Sequence, residues 1–85
     1  MYLIIVYDVS QRRVNQFCKF LKRYLNWVQN SVFEGEVNVA QYELIKHKLT
    51  QMVGKDDCVI IYDMGKCWKK RMVIGNEKNQ ISNVV

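Results

Sequence analysis

Two short runs without a charged residue constrain the fold of this chain more than any other feature. Residues 2–7 (YLIIVY) and 58–62 (CVIIY) are rich in β-branched and aromatic side chains, which predicts buried strands. Both runs are apolar at odd and at even positions, so each strand presents apolar side chains on both faces of its sheet. The first run places Leu3, Ile5 and Tyr7 on one face and Tyr2, Ile4 and Val6 on the other.

Two amphipathic segments lie between these strands and supply a cover for one face of the sheet. Apolar residues recur at spacings of three and four from about Gln11 to Leu25 and again from Val39 to Met52, which is typical of α-helices. Ser10 precedes the first segment and Asn38 the second, where side chains commonly cap a helix. Gln41, three residues after Asn38, completes the pattern of a capping box.

The remaining segments complete a small sheet. Trp27 to Val37 has strand chemistry broken at Asn30-Ser31 and at Gly35, and predicts either one bulged strand or two short strands. Met72 to Ile74 predicts a last short strand. The resulting order is typical of an α+β, ferredoxin-like βαββαβ sandwich with an additional C-terminal strand. We expect residues 1–75 to form this domain and residues 76–85 to form a tail that docks on the dimer or on a partner.

The second face of the sheet predicts a homodimer packed through the sheets. Two helices cover one face, and the chain has no further segment for the other, whose apolar side chains would otherwise be exposed. A second copy, packed sheet against sheet, is the simplest cover. An 85-residue chain also buries a small core, so association adds stability that a monomer lacks.

Charge and cysteine content narrow the class of partner. The net charge is +5, from 13 Lys+Arg against 8 Asp+Glu, which favours an acidic partner such as nucleic acid. The three cysteines are widely spaced without a CxxC pair, and one histidine cannot complete a zinc site with them. Reduced thiols favour a cytoplasmic protein. The apolar runs are too short to span a membrane, so we expect neither secretion nor membrane insertion.

Asp8 is the first candidate functional residue, because a carboxylate at the tip of a buried strand is rigidly held. Ser10, Arg12 and Arg13 follow it directly. A fixed carboxylate beside cations suits a divalent metal that meets a phosphate, since Mg²⁺ takes one or two carboxylates and leaves positions for substrate oxygens. The alternative is an Asp that begins a turn or caps the next helix. A two-fold axis near the strand tips would bring Asp8 of both copies together.

Other carboxylates and His47 are weaker candidates. Asp63 ends the second apolar run and competes with Asp8, although Asp-Met-Gly also makes an ordinary turn. Glu34 and Glu36 flank Gly35, and we expect them to face solvent. His47 lies between two lysines on the polar face of the second helix, where we expect it to be exposed.

The densest basic segment and one aromatic ring are candidates for contact with nucleic acid. The segment contains Lys66, Lys69, Lys70 and Arg71. We predict that these side chains contact the phosphate backbone without sequence preference. The alternative is a solvated loop, with Trp68, which lies within the run, packed in the core or the dimer contact. Phe33 is either a core residue or a platform on which a base stacks.

Several segments together resemble the CRISPR-associated protein 2 family. They are an apolar strand ending in YDVS, an arginine-bearing helix, VQNSVFEGEV, DDCVIIYDMG and RMVIG. The resemblance runs from Met1 to about Gly75. Members of this family are small proteins that act in spacer acquisition beside the CRISPR integrase, so the resemblance implies a role in antiviral defence.

The resemblance implies a fold, a metal site and a set of partners. It implies a ferredoxin-like homodimer whose last strand crosses to the partner's sheet, and a first-strand aspartate that binds magnesium at the dimer interface. By position that aspartate is Asp8, the residue we expect to be catalytic. The residues carried over as contacts with nucleic acid are Tyr7, Ser10, Arg12, Arg13 and Phe33. Which of the two adjacent arginines matches the arginine of the family stays open.

The family leaves three activities open for this chain. Its members are described as metal-dependent endonucleases on single-stranded RNA or duplex DNA, and also as non-catalytic bridges that hold the integrase and the incoming DNA. Toxin-like ribonucleases share the fold, so fold alone does not identify the activity. We therefore expect a magnesium-dependent endonuclease of CRISPR adaptation that binds the integrase. The alternatives are a nucleic-acid-binding scaffold and a stand-alone toxin-like ribonuclease.

Overall fold

The five strands and two helices follow the predicted order. The structure, a computed structural model, describes residues 1–65 and 70–76. The strands form one antiparallel sheet in the order β2-β3-β1-β4-β5, which confirms the α+β architecture. The elements are β1 (Tyr2–Asp8), α1 (Gln11–Leu21), β2 (Asn26–Gln29), β3 (Val32–Glu36), α2 (Val39–Met52), β4 (Cys58–Asp63) and β5 (Lys70–Gly75).

Strand β1 lies at the centre of the sheet, and its alternating side chains separate two faces. Leu3, Ile5 and Tyr7 are buried, whereas the side chains between them are half-buried. The buried side chains pack against both helices in one hydrophobic core. The helical contributions to this core include Phe17, Leu21, Ile45 and Leu49. Each such side chain contributes about 1.5–3 kcal/mol through the apolar surface it removes from water.

The opposite face, called the open face here, carries the half-buried apolar side chains of the central strands. These are Tyr2, Ile4 and Val6 of β1, Val32 of β3, and Ile60 and Tyr62 of β4. Both helices pack on the other face, and no further helix or strand within residues 1–65 and 70–76 covers the open face. Asp8 continues the β1 row of this face at the strand tip, because side chains alternate along a strand.

The segment Trp27 to Val37 forms two short strands. A register shift between Trp27 and Gln29 gives β2 a bulge, so both features of the sequence prediction occur. Asn30 turns the chain with φ of 40°, a left-handed conformation that asparagine tolerates better than most residues.

Helix α1 ends at Leu21, four residues before the predicted end at Leu25. The chain tightens there, because the N–H groups of Arg23 and Tyr24 donate to the carbonyls of Phe20 and Leu21, three residues back. Leu25 is still buried, at 5% exposure. Its apolar position therefore belongs to the predicted core although it lies beyond the helix.

The two helix starts differ in their caps. The capping box predicted for α2 is present: the Gln41 N–H donates to Asn38 Oδ1 at 2.7 Å, and the Asn38 N–H donates to Gln41 Oε1 at 3.0 Å. Ser10 occupies the N-cap position of α1, but its side chain makes no cap hydrogen bond. The prediction that Ser10 caps α1 is therefore right in position and wrong in chemistry.

The last strand, β5, pairs with β4 of its own chain over the whole length of both strands. The resemblance implies a last strand that crosses to a partner, which one chain does not test. The tail beyond Asn76 lies outside the described residues, so its docking stays a prediction. In the described part of the chain, no helix combines the length and the apolar character needed to cross a bilayer.

Candidate functional site

Asp8 lies where the end of β1 meets the start of β4. Its side chain is exposed, and its Cα pairs with that of Cys58. Asp63 pairs instead with Leu3, at the far end of the same two strands, because they run antiparallel. Asp63 Oδ1 accepts a hydrogen bond from the Gly65 N–H at 3.1 Å, as expected for a turn. Asp63 therefore does not join Asp8 in one site.

A cavity of about 240 Å³ opens beside Asp8, and we call it the Asp8 cleft. One wall follows β1 in the sequence and the other precedes β4. The cleft combines three carboxylates with two cationic side chains and one hydroxyl. Its lining residues are Asp8, Val9, Ser10, Arg13, Lys55, Asp56 and Asp57.

Asp57 joins the two walls of this cleft. Its carboxylate is 2% exposed, and Oδ1 accepts a hydrogen bond from the Ser10 N–H at 2.9 Å. Oδ2 accepts from the Gly54 N–H at 2.7 Å and from Arg13 Nε at 2.5 Å. A buried carboxylate is expensive unless it is paired and hydrogen-bonded, and these donors supply both the charge and the hydrogen bonds.

The same contacts set the protonation of Asp57. Burial by itself raises the pKa of the carboxyl, but the hydrogen bonds from Arg13, Gly54 and Ser10, with the charge of Arg13, bring that pKa below its ordinary value. The hydrogen bond to Asp57 correspondingly raises the pKa of Arg13. The pair is therefore ionised at neutral pH.

The hydroxyl of Ser10 lies at the cleft with its hydrogen-bonding capacity unused. Ser10 Oγ is buried and has no hydrogen-bond partner among the described residues. Buried hydroxyl groups normally have at least one hydrogen-bond partner. Asp57 accepts the Ser10 backbone N–H, the donor that the third helical side chain accepts in a capping box, and the Arg13 N–H donates to the Ser10 carbonyl.

Tyr7 and Phe33 lie in the core, so the prediction that their rings contact nucleic acid is corrected. Phe33 is fully buried and Tyr7 is 3% exposed. The Tyr7 ring stacks on Phe17 at 5.5 Å and on Phe33 at 6.1 Å between centroids. Burial raises the pKa of the Tyr7 hydroxyl. Both side chains point towards the helices, because odd positions of β1 and their β3 partners face that side.

The other predicted residues are spread over the molecule. Arg12 is exposed on the first turn of α1, and His47 is exposed on α2 as predicted. Glu36 is exposed, whereas Glu34 is half-buried on the open face. Burial raises the pKa of the Tyr2 hydroxyl, and the negative charge of Glu34 raises it further. Lys66, Trp68 and Lys69 lie outside the described residues. Lys70 and Arg71 belong to β5, but their side chains are not among those described, so their contact with nucleic acid stays a prediction.

The oxygen donors of the Asp8 cleft fit the chemistry of magnesium, but one chain offers few of them. Asp8 supplies an exposed carboxylate, and Ser10 supplies a hydroxyl that has no hydrogen-bond partner among the described residues. Mg²⁺ prefers such ligands and keeps several waters. Within the described ranges, no three or more His, Cys, Asp or Glu side chains form a group that could hold a metal. Any further ligands for a cation here would come from water or from outside the described residues.

Sequence reasoning missed the role of Asp57, which it placed in a polar turn of residues 55–57. A buried carboxylate looks no different in sequence from its exposed neighbour Asp56. The available signal was topological: in this fold β4 runs antiparallel beside β1, so residues just before β4 face residues just after β1. An acid before β4 and an arginine after β1 are then within reach of each other.

Comparison with known proteins agrees with this architecture. Residues 1–72 match the family model described as "CRISPR associated protein Cas2". The chain is 50% identical over 86 residues to the "CRISPR-associated endoribonuclease Cas2" of Thermococcus kodakarensis, covering 100% of both chains. It is 48% identical to the protein of the same name from Pyrococcus furiosus, again over 100% of both.

Solved structures give the same result. A crystal structure of Cas2 superposes with a TM-score of 0.74 at 46% identity, covering 95% of this chain and 93% of that one. The crystal structure of Streptococcus pyogenes Cas2 at pH 6.5 superposes with a TM-score of 0.71 at 37% identity, covering 78% of this chain and 88% of that one. The fold and the cleft define a small ferredoxin-like protein with acidic and basic side chains at the tip of its first strand. The chain belongs to the CRISPR-associated Cas2 family.

Proposed function

We propose that this chain is a magnesium-dependent endonuclease of CRISPR spacer acquisition that acts as a homodimer on single-stranded RNA. The names of the relatives from T. kodakarensis and P. furiosus, both endoribonucleases, favour RNA over DNA as the cleaved substrate. The net charge of +5 supports binding of a nucleic acid of either kind. Duplex DNA and the CRISPR integrase are the further partners that we propose for the dimer.

The position of Asp8 carries the proposal. An exposed carboxylate stands at the tip of the central strand, in line with the apolar row of the open face and beside a cleft of about 240 Å³. Packing two open faces against each other around a two-fold axis at the strand tips would bring the two Asp8 side chains together. Two facing carboxylates repel each other unless a cation or a shared proton lies between them.

The residues around Asp8 have distinct roles in this proposal. Asp8 of each copy holds the magnesium ion, and Arg12, exposed at the start of α1, contacts a phosphate of the substrate. Magnesium, when bound, supplies positive charge to the scissile phosphate and makes a nucleophile available at neutral pH. The cleft lining contains no histidine in the described chain, so no strong general base assists and we expect slow turnover.

The test is a magnesium titration of RNA cleavage by the wild-type protein and Asp8→Asn. Asn keeps the size of the side chain but lacks the charge that holds the cation. We expect cleavage to fall at least about 100-fold in the variant, since losing even the outer-shell partner of a metal ligand typically costs about 10–100-fold. Asp63→Asn is the matched control, because it makes the same change at the opposite end of the same strand pair.

The outcomes separate the candidate functions. Cleavage that is lost in Asp8→Asn and retained in Asp63→Asn supports the proposal. Equal cleavage by Asp8→Asn and wild type, after repurification with chelator, would overturn it. Faster cleavage of duplex DNA than of RNA would replace the proposed substrate.

A non-catalytic scaffold is the second candidate, and one observation favours it. No three potential metal ligands come together within the described part of a single chain. In this case Asp8 contributes only to the dimer contact. Absence of metal-dependent cleavage in the wild type, with dimer mass and DNA binding intact, would support this function and make integrase binding the next measurement.

A further inference from the structure

Asp57 differs from every other carboxylate of the Asp8 cleft. Asp8 and Asp56 are exposed, whereas Asp57 is 2% exposed. Both of its oxygens are already occupied, Oδ1 by the Ser10 N–H and Oδ2 by Gly54 and Arg13. Three of its roughly four acceptor positions are used by protein donors, which makes Asp57 a poorer metal ligand than the exposed Asp8, although it lines the site.

The contacts of Asp57 connect segments that are distant in sequence. The hydrogen bond to Ser10 spans 47 residues and that to Arg13 spans 44. The carbonyl oxygen of Asp57 also accepts from the Asn76 N–H at 2.8 Å, at the end of β5. One residue thus joins the segment after β1, the start of α1, the turn after α2 and the end of the last strand.

The contact with Ser10 bears directly on Asp8. Ser10 lies two residues after Asp8, and Val9 between them has no described hydrogen bond that ties it to another strand. The bond from the Ser10 N–H to a buried, charged acceptor fixes the chain where it leaves β1. Hydrogen bonds to a charged group are about twice as strong as those between neutral groups, so this bond restrains the exit direction of the chain.

Arg13 is held against the same turn. Its guanidinium packs over Gly54 so closely that a Cβ at this position would collide with Nη2, Cζ and Nε. A larger residue at this position would therefore displace the guanidinium from its present place over the turn. Arg13 lies in the first turn of α1, so the pair also fixes the start of the helix beside the cleft.

We infer that Asp57 is a positioning residue for the metal site: it holds the segment between β1 and α1 so that Asp8 presents its carboxylate to the cation. The inference rests on the proposed function for the metal itself. Asp57 acts on the site indirectly, through Ser10 and Arg13. In other proteins, losing a residue that orients a metal ligand typically costs about 10–100-fold in metal affinity.

The experiment compares wild type, Asp57→Asn and Asp56→Asn in Mn²⁺ binding followed by electron paramagnetic resonance. This readout does not depend on cleavage. Asp56→Asn removes the same charge from the same cleft, and no described hydrogen bond joins Asp56 to Ser10 or Arg13, so this variant measures the electrostatic effect. We expect the Mn²⁺ dissociation constant to rise about tenfold in Asp57→Asn and by less than about threefold in Asp56→Asn.

Gly54→Ala provides a second route to the same perturbation. It displaces the Arg13 guanidinium and leaves both charges in the chain, so we expect weaker Mn²⁺ binding than in wild type. Circular dichroism at 25 °C confirms that each variant is folded. A dissociation constant within about twofold of wild type in both folded variants would overturn the inference and leave Asp57 as a contributor to stability alone.

Hydrogen exchange of the metal-free protein separates this inference from the proposed function. We expect the amides of residues 9–12 to exchange at least about tenfold faster in Asp57→Asn than in Asp56→Asn, since local opening controls exchange. If wild type binds no Mn²⁺, the proposed function fails, and the exchange difference alone decides whether Asp57 holds this segment. Binding by wild type with no exchange difference overturns only the inference.

Discussion

At the scale of single residues, the two adjacent arginines at the start of α1 have different surroundings. Arg13 donates through Nε to Asp57 and is 23% exposed. Arg12 is exposed and does not line the Asp8 cleft. Successive helical residues point about 100° apart, so only one of the pair can face Asp57. We therefore assign the structural role to Arg13 and propose the phosphate contact for Arg12.

A pair of matched substitutions tests this division. We expect Arg12→Gln to weaken binding of single-stranded RNA and to reduce the slope of log K against log salt concentration by about one, without changing Tm. Arg13→Gln should instead lower Tm, because the buried Asp57 carboxylate loses its cationic partner. Fluorescence anisotropy across a salt series and thermal unfolding measure the two effects. A lower Tm in Arg12→Gln with unchanged RNA affinity would reverse the assignment.

At the scale of secondary-structure elements, the Asp57 contacts attach the start of α1 to the turn between α2 and β4. Few other described hydrogen bonds join these segments. Removing the acceptor leaves buried donors unpaired, which costs on the order of 1–3 kcal/mol. The attachment therefore contributes to the stability of the whole domain, as well as to the position of Asp8.

This attachment predicts a dependence of stability on pH. The pKa of Asp57 is lower in the folded chain than in the unfolded chain, so the unfolded state takes up the proton first as the pH falls. The stabilisation is fully present above the unfolded pKa and is lost as the pH falls towards the folded pKa. We expect the Tm of wild type to fall more steeply than that of Asp57→Asn below about pH 4.

Thermal unfolding of both proteins between about pH 7 and about pH 2 measures this difference. The two curves should converge at the acidic end, where the carboxylate is neutral and resembles the amide. Asp56→Asn is the control, and its curve should stay parallel to that of wild type, since Asp56 is exposed. Parallel curves for Asp57→Asn and wild type would contradict the prediction.

At the scale of the whole molecule, the open face is the feature that the described chain leaves unexplained. Its central strands carry apolar side chains on a side that no described helix covers. Val6 is flanked by Val32 on β3 and by Ile60 on β4, so the apolar row continues across three strands. A homodimer packed through this face remains our proposal, and it would place Asp8 of both copies at the contact.

A charge on this face tests the dimer. Val6→Glu adds a carboxylate that water can solvate in a monomer but that a dimer must bury, so we expect dissociation to increase at least about 100-fold. Light scattering after size-exclusion chromatography measures the mass, which should fall to that of one 10.2 kDa chain. Val39→Glu, at a 64% exposed position on α2, should leave the mass unchanged. An unchanged mass for Val6→Glu would exclude the open face as the contact.

Much of the fold could be predicted because it depends on local pattern. The alternation in β1 separated Leu3 and Ile5 from Ile4 and Val6, and the structure buries the first pair against the helices. Asn38 and Gln41 identified the start of α2 through a contact over three residues. The end of α1 was wrong by four residues, because an apolar position at Leu25 can be buried beyond the helix as well as within it.

The candidate site was predicted less completely, and the reason is physical. Asp8 could be found because the end of an apolar run is a local feature, whereas Asp57 becomes meaningful only when β4 pairs with β1. Tyr7 and Phe33 were assigned to nucleic acid by resemblance, but both are buried in the core, where the Tyr7 ring stacks on Phe17 and on Phe33.

The sequence by itself determined the order of elements, the two faces of the central strand and the carboxylate at its tip, since each depends on neighbouring residues. The tertiary structure decided which charges meet across 44 residues and which of two similar arginines is withdrawn from the surface. Contacts of this kind depend on strand pairing and burial, and neither is encoded in the spacing of the residues that make them.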